Sequence, residues 1–475
     1  MTKKQAKQSH KSYADMTGAQ IFHEMLLEEG VEYLFGFPGG MVLPIFDVLY
    51  DTPLKFVLTR HEQGATHMAD GYARSTGKVG TVLATSGPGA TNLVTGLATA
   101  YMDSVPMVAF TGQVKSWLIG NDAFQEADIT GITRPVTKHN FMVKRIEDLG
   151  RTIKEAFHIA RTGRPGPVLV DIPADVSVSK PPQEPDFTPR LPGYKPRTVG
   201  HIRQIKNAAE LINASHRPVL YVGGGVILSG ASDELRKLAV KANIPVTTTL
   251  LALGSFDETS PLSLQMLGMH GSAPANYAVQ ECDCLIAVGA RFDDRVTGDV
   301  KTFAPKAKII HVDIDPSSIS KNVQVDIPVV GDARDILAKL LDLVDHKDRA
   351  PWLAQVADWK KRYPYKYAHD GHIKPQEAIE AVGRLTDHDA IVATGVGQHQ
   401  MWTAQLYGWR RPRQIVTSGG LGTMGFGCPA AIGAQFGNPG KTVVDFDGDG
   451  SFCMTMVEVI TAVQYMQPVK FVVLN

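Results

Sequence analysis

The sequence predicts an α/β chain of three doubly wound parallel-sheet domains, the third incomplete. Three observations predict it. Short apolar runs alternate with helix-like runs along the 475 residues, and such alternation gives parallel sheets covered on both faces. Many of the apolar runs end in glycine-rich turns, as strands of open α/β sheets do where they bind ligands. Two stretches poor in such runs, 181–200 and 346–370, separate blocks 1–180, 201–345 and 371–475. Three is also about the number of domains that the length suggests.

In the first block, Thr17 and Gln20 form a capping box. The helix behind it puts Ile21, Phe22, Met25 and Leu26 on one face and stops at Gly30. Strands are expected at Tyr33–Phe35, Lys55–Leu58, Val79–Ala84 and Val105–Phe110. Each is followed by a distinctive turn: Phe37-Pro38-Gly39-Gly40, Arg60-His61-Glu62-Gln63-Gly64-Ala65, Ser86 to Asn92, and Thr111-Gly112-Gln113. Glu62 by itself is an ordinary acid at a helix N-terminus, favoured there by the macrodipole.

Six prolines between Pro181 and Pro196 suit an extended linker. The middle block follows with strands at Pro218–Val222, Val246–Thr249, Leu285–Val288 and Lys308–Val312. Gly223-Gly224-Gly225 closes the first, and Asp313 and Asp315 end the last. The G-x-G-x-x-G dinucleotide fingerprint is not met cleanly.

The charged run Lys360-Lys361-Arg362 lies in a second linker, and Pro375 opens a helix at a position that needs no N–H. Strands are expected at Ala390–Thr394, Thr442–Phe446 and Val469–Leu474, with helices from Pro429 onward and at Met454–Tyr465. The turn Gly448-Asp449-Gly450 suits a phosphate, because glycines let backbone N–H groups approach and a helix N-terminus favours negative charge. Asp449 is a hard oxygen ligand suited to Mg²⁺ held against a diphosphate.

Lys+Arg and Asp+Glu both number 48, so no basic surplus argues for a nucleic acid partner. No apolar run reaches membrane-spanning length, and the polar, lysine-rich first fifteen residues resemble neither a signal nor a transit peptide. Cys282, Cys284, Cys428 and Cys453 contain no C-x-x-C pair, which points to free thiols and a cytoplasmic location. Cys428 and Cys453 are expected to pack as small hydrophobes.

The motifs FGFPGG, RHEQGA, TSGPGATN and FTGQ, then MLGMHGSAPAN, GARFDDRVTG and HVDIDP, then GDGSF ahead of a helix, a strand and Asn475, occur in order. Together they resemble the acetohydroxyacid synthase (acetolactate synthase) large subunits, a family dependent on thiamine diphosphate (ThDP). The resemblance covers nearly the whole chain. It implies the ThDP-enzyme fold, with a pyrimidine-binding, a central FAD-binding and a diphosphate-binding domain in that order. It implies that Glu62 hydrogen-bonds the pyrimidine ring, that Gln113 lies near the reacting centre, that Lys144 lines the entrance and that Arg295 grips a 2-keto acid carboxylate. Gly40 is expected against ThDP; Val396, Gly397, Gln398, His399, Gly448, Gly450 and Ser451 around its diphosphate; Gly422 and Met424 at its aminopyrimidine; and Asp449 on Mg²⁺. Arg134, Gly223, Met269, His270, Arg291, Asp313 and Asp332 are expected on FAD, which in the family takes no redox part in turnover. Met41 stands where the family has a small residue, which would narrow the entrance.

The implied reaction decarboxylates pyruvate and condenses the two-carbon unit with a second 2-keto acid. Pyruvate gives 2-acetolactate and 2-oxobutanoate gives 2-aceto-2-hydroxybutanoate, in valine, leucine and isoleucine synthesis. A homodimer or homotetramer with a small regulatory subunit is also implied. The motif's second closing asparagine finds no match, so a truncated third domain and an inactive chain are expected. A pyruvate oxidase-type ThDP/FAD enzyme, glyoxylate carboligase (disfavoured, because it lacks the glutamate found here at Glu62) and a non-catalytic oligomerising partner are the rival readings.

Overall fold

The computed structural model describes residues 12–475, so most of the lysine-rich opening stretch lies outside the described residues. Three sheets form, and every strand pair in them is parallel. The first contains β1 (Tyr33–Gly36), β2 (Lys55–Leu58), β3 (Gly80–Ala84), β4 (Met107–Gln113), β5 (His139–Met142) and β6 (Pro167–Pro173), in the order β2-β1-β3-β4-β6-β5. The second contains β7 (Pro218–Val222), β8 (Val246–Thr248), β9 (Ser263–Met266), β10 (Cys284–Val288), β11 (Lys308–Asp313) and β12 (Ile327–Val330), ordered β12-β11-β10-β7-β8-β9. The third contains β13 (Ile391–Thr394), β14 (Ile415–Thr417), β15 (Val443–Gly448) and β16 (Lys470–Leu474), ordered β14-β13-β15-β16.

The first two sheets are apolar on both faces because crossover helices cover both; in the third, β16 is only partly buried. Ile21, Phe22, Met25 and Phe157 cover one face of the first sheet. Met68, Ala69 and Leu97 cover the other, joined by Cys428, Ile432 and Phe436 of the third domain. Among the described residues no helix is long and apolar enough to cross a membrane.

Several local expectations need correction. β4 continues through Thr111-Gly112-Gln113, which is strand and not turn, because it pairs with β6 as far as Pro173. The helix expected at Met454–Tyr465 begins at Asp449 and breaks at a 3-10 turn, Met456–Glu458, before resuming at Val459–Gln464. Cys428 is buried as expected, but Cys453 is exposed.

The first and third domains are locked by two helices, Glu62–Thr76 and Gly427–Gly437. They cross backbone to backbone. A Cβ on Gly71 would lie 2.0 Å from the carbonyl oxygen of Ala430, and one on Gly433 would lie 1.9 Å from that of Met68. Neither obstacle is a movable side chain. Gly71→Ala gains ~1 kcal/mol of helix propensity, yet is expected to destabilise the protein by about 1–3 kcal/mol through overpacking, read from the denaturant midpoint.

Candidate active site

Ligands of open α/β sheets bind beyond the strand C-termini, where the strand order reverses. That point lies between β1 and β3 in the first sheet, β7 and β10 in the second, and β13 and β15 in the third. The glycine-rich turns cluster at these three places.

At the first, Gly40 is exposed with open space around its Cα. Glu62 is the first residue of its helix and is buried. Its Oε2 accepts a 2.9 Å hydrogen bond from Asn92 Nδ2. A Cβ on Gly89 would stand 3.2 Å from Oε1, so the β3 turn leaves just enough room for the carboxylate. Gln113 ends β4. It is buried, and its Nε2 donates to Asp171 Oδ2 (3.0 Å) and to the Ala127 carbonyl (2.8 Å), while its Oε1 accepts from Val114 N. Burial pushes the Asp171 carboxyl up to about 7, against the opposing hydrogen bonds from Thr111 and Gln113. Lys144 is exposed just beyond β5, and Arg134 is exposed in the turn Arg134–Val136.

At the third, the turn after β13 faces the end of β15. Val396 and Gly397 are partly exposed, and Gln398 is exposed at the head of the helix Gln398–Leu406. His399 is buried, with Nε2 unpartnered 3.5 Å from Asp447 Oδ1. Burial lowers the His399 pKa, which favours the neutral ring. A Cβ on Gly448 would come 2.9 Å from His399 Nδ1. Asp449 is exposed as the first residue of the helix Asp449–Thr455. Gly450 is exposed beside the Met424 methyl, and Ser451 Oγ accepts from Gly425 N at 3.0 Å. Gly422 takes φ +72° beside Val396. Met424 is exposed.

These features fit a diphosphate carrying a divalent cation: a glycine cradle, a helix N-terminus, an exposed carboxylate and an unpartnered imidazole nitrogen. Among the described residues no cluster of three or more His, Cys, Asp or Glu is arranged as an all-protein metal cage. Asp449 would therefore share the ion with ligand oxygens, as Mg²⁺ sites on phosphates do.

At the second, the order of the six strands is that of dinucleotide-binding sheets. Gly223 and Gly225 approach Gly289 so closely that a Cβ on Gly223 would sit 2.1 Å from its carbonyl oxygen. A cavity of about 310 Å³ runs from there to Asp313, Asp332 and Arg164. A second, of about 240 Å³, runs to Met269, His270, Arg295 and Gln400. Both are lined by Gly224, Leu251, Gly289 and Arg291, so together they make one cleft from the middle domain to the third. Asp332 also caps a helix, accepting from Arg334 N and Asp335 N. His270 is exposed and lines the cleft. Arg295 is exposed, 3.9 Å from Asp294.

Sequence reasoning missed two groups. Asp445 and Asp447 are both fully buried, and three of their four carboxylate oxygens lack a partner. Burial pushes Asp447 up to about 6 and Asp445 well above the usual carboxylate range, Asp445 also through its neighbour's charge. Charged residues inside a central strand were the available signal. The other group is Asp103, which lines the first cavity. It accepts from Arg74 Nη2 (2.9 Å), Gly419 N (2.9 Å) and Gly420 N (2.7 Å). Arg74 also pairs with Asp70 and lies over the Phe426 ring. This buried network ties the loop Ser418–Gly425 to the first domain.

Models of three domains match in order: the thiamine pyrophosphate enzyme N-terminal TPP binding domain over residues 16–132, the central domain over 205–340 and the C-terminal TPP binding domain over 395–475. With three parallel sheets and the first and third switch points built as described, the chain is a thiamine pyrophosphate (ThDP) enzyme. It is 53% identical over 468 residues to a probable acetolactate synthase large subunit of Methanocaldococcus jannaschii, covering 96% of this chain and 79% of that one. It is 53% identical over 472 residues to the acetolactate synthase large subunit of Corynebacterium glutamicum (97% and 75%). It is 50% identical over 489 residues to the mitochondrial acetolactate synthase catalytic subunit of Saccharomyces cerevisiae (98% and 71%). The chain belongs to the acetolactate synthase large subunits, which are ThDP-dependent carboligases. The expectation of a truncated third domain has no support, since all three domains form and the C-terminal model matches.

Removing one partner of a buried charge network costs about 3–5 kcal/mol. Asp103→Ala is expected to destabilise the protein by that order and to speed amide exchange at Gly419 and Gly420, measured by denaturant titration and hydrogen–deuterium exchange.

Proposed function

We propose that this chain is the catalytic subunit of an acetolactate synthase that joins two pyruvates into 2-acetolactate, or pyruvate and 2-oxobutanoate into 2-aceto-2-hydroxybutanoate, for branched-chain amino-acid synthesis. The observation that carries the reading is the similarity, about half of all positions across all three domains, to chains named for that activity. The chemistry that ThDP supplies when bound is decarboxylation of a 2-keto acid and transfer of the remaining two-carbon unit. The protein's part is to bind, orient and move protons. Glu62, buried and oriented by Asn92, is the group to exchange a proton with the aminopyrimidine. Met424 and Gly422 would support that ring, and Val396, Gly397, Gln398, His399, Gly448, Gly450 and Ser451 would hold the diphosphate, with Mg²⁺ on Asp449. Gly40 would take the cofactor from the first domain. Arg295 and Lys144 would receive the keto acid; an arginine fork suits a carboxylate.

FAD fits the middle cleft. Its adenosine end would lie by Asp313 and Asp332, and its other end by Arg291, Met269 and His270, with Arg134 reaching it and Gly223 allowing close approach. A homodimer or homotetramer is supported by apolar side chains exposed around both ThDP half-sites, among them Trp117, Phe124, Leu421, Met454 and Ile460. A small regulatory subunit follows from the relatives' designation as large subunits. A cytoplasmic location is consistent with four unpaired cysteines.

Glu62→Gln is expected to lower the acetolactate rate by ~10²–10⁴, the worth of a proton-transfer group, while the folded protein still binds ThDP by calorimetry. A loss below about tenfold would remove Glu62 from that role. Arg291→Ala is expected to weaken FAD binding by ~10–100-fold, from loss of a charge-assisted hydrogen bond, read by flavin fluorescence. Wild-type protein that holds no FAD after gel filtration from excess cofactor would overturn the flavin reading.

A further inference from the structure

We infer that Glu458, a carboxylate of the third domain, is a positioning residue for Glu62. The inference rests on the reading of Glu62 as the proton-handling group.

Glu458 is fully buried. Its Oε1 accepts from Arg60 N (3.0 Å) and His61 N (2.9 Å), and its Oε2 from Arg60 N (3.1 Å) and Thr461 Oγ1 (2.7 Å). Arg60 and His61 are the two residues immediately before Glu62. A helix start is ordinarily satisfied by local caps, and here His61 Nδ1 does accept from Gln63 N. The two N–H groups ahead of the helix are instead held by an acid nearly 400 positions away, 397 from His61. A buried carboxylate needs such donors to offset its desolvation, and the positive end of the helix Glu62–Thr76 favours its charge.

A second observation agrees. A Cβ on Gly64 would lie 2.2 Å from Glu458 Oε1. A glycine in the first turn disfavours the helix, and here it is what lets the carboxylate in. The neighbouring strand is held similarly, with Leu58 N donating to Tyr465 Oη at 2.8 Å. The Glu62 side chain is thus fixed by Asn92, and its backbone by Glu458. Glu458 also ends the 3-10 turn that follows the helix beginning at Asp449. One short segment of the third domain therefore carries both the proposed cation ligand and the anchor of the proposed proton-handling loop.

The test compares Glu458→Ala, Glu458→Gln and Glu458→Asp in the full chain. Glu458→Ala should speed amide exchange at Arg60 and His61 by at least about tenfold, read by hydrogen–deuterium exchange without cofactor. With ThDP and Mg²⁺ added, kcat and the deuterium exchange of the thiazolium C2 proton, both per bound ThDP, should fall together by ~10–100-fold, the scale of an ångström-size misplacement. KM for pyruvate should stay within about twofold. Glu458→Gln keeps one oxygen to accept both N–H groups and should restore most of the rate. Glu458→Asp keeps the charge but withdraws the acceptor, and should not. If Glu458→Ala does not fold, the Gln and Asp pair decides alone. Equal rates in those two variants, or unchanged protection of Arg60 and His61 in either Glu458→Ala or Glu458→Asp, would overturn the proposal. Glu62→Gln measured alongside separates the premises: a retained rate there removes the role of Glu62, while amide exchange still reports the anchor.

Discussion

The backbone contact between the helices Glu62–Thr76 and Gly427–Gly437 is the constraint on which the rest of the structure depends. It requires glycine from both sides, Gly71 and Gly433, because each faces a carbonyl and not a movable side chain. Once the helices touch, the third domain brackets the first helix with charge. At its N-terminal end stands the Glu458 carboxylate. Near its C-terminal end the Arg413 guanidinium donates to the Arg74 carbonyl at 3.0 Å and to Ile227 O of the middle domain. Acid at the positive end and base at the negative end is the arrangement that a helix macrodipole favours. The helix carrying Glu62 is therefore oriented by another domain as much as by its own sheet.

The same packing explains why the middle cleft and the loop Ser418–Gly425 are neighbours. Asp103 lines the cleft with one surface and holds the amides of Gly419 and Gly420 with its oxygens. Arg291 lines both parts of the cleft, and its Nη2 stands 3.2 Å from where a Cβ on Gly420 would be. Thr99 of the first domain shares a 2.7 Å hydrogen bond with Thr423. The residue expected under the aminopyrimidine, Met424, thus follows a stretch pinned from the first domain and flanked by the middle one.

Much of the architecture was legible because it is local. Alternating apolar and amphipathic runs give parallel strands with crossover helices, and glycine turns mark the strand ends. What was not legible depends on tertiary order. The strand order of the second sheet, which is that of dinucleotide-binding sheets, exists only across space, and the imperfect glycine pattern after β7 gave no clean sign of it. β5 (HNFM) and β9 (SLQM) are short edge strands with polar residues, and no periodicity separates four such residues from loop. Gln113 reads like a turn residue, because nothing local reveals that β4 runs on beside β6 and that Asp171, on β6, takes up its amide.

The residues missed nonetheless left a trace, since each breaks a local rule whose compensation is distant. Asp103 is an acid on the last turn of its helix, the end where the macrodipole disfavours it. Arg74 and two glycine amides offset that from outside. Gly64 and Gly71 weaken one helix twice, and both exist to admit something else: a carboxylate at the first, a second backbone at the other. Asp445 and Asp447 put charge on a strand buried on both faces, an arrangement that burial alone would select against. Asp447 Oδ1, which accepts from Gly448 N, lies 1.8 Å from where a Cβ on Gly395 would sit, which explains why the turn after β13 must begin with glycine. Local violations of this kind mark where domains or ligands meet, and here they mark the crossing, the loop and the cradle from which the proposed active site is built.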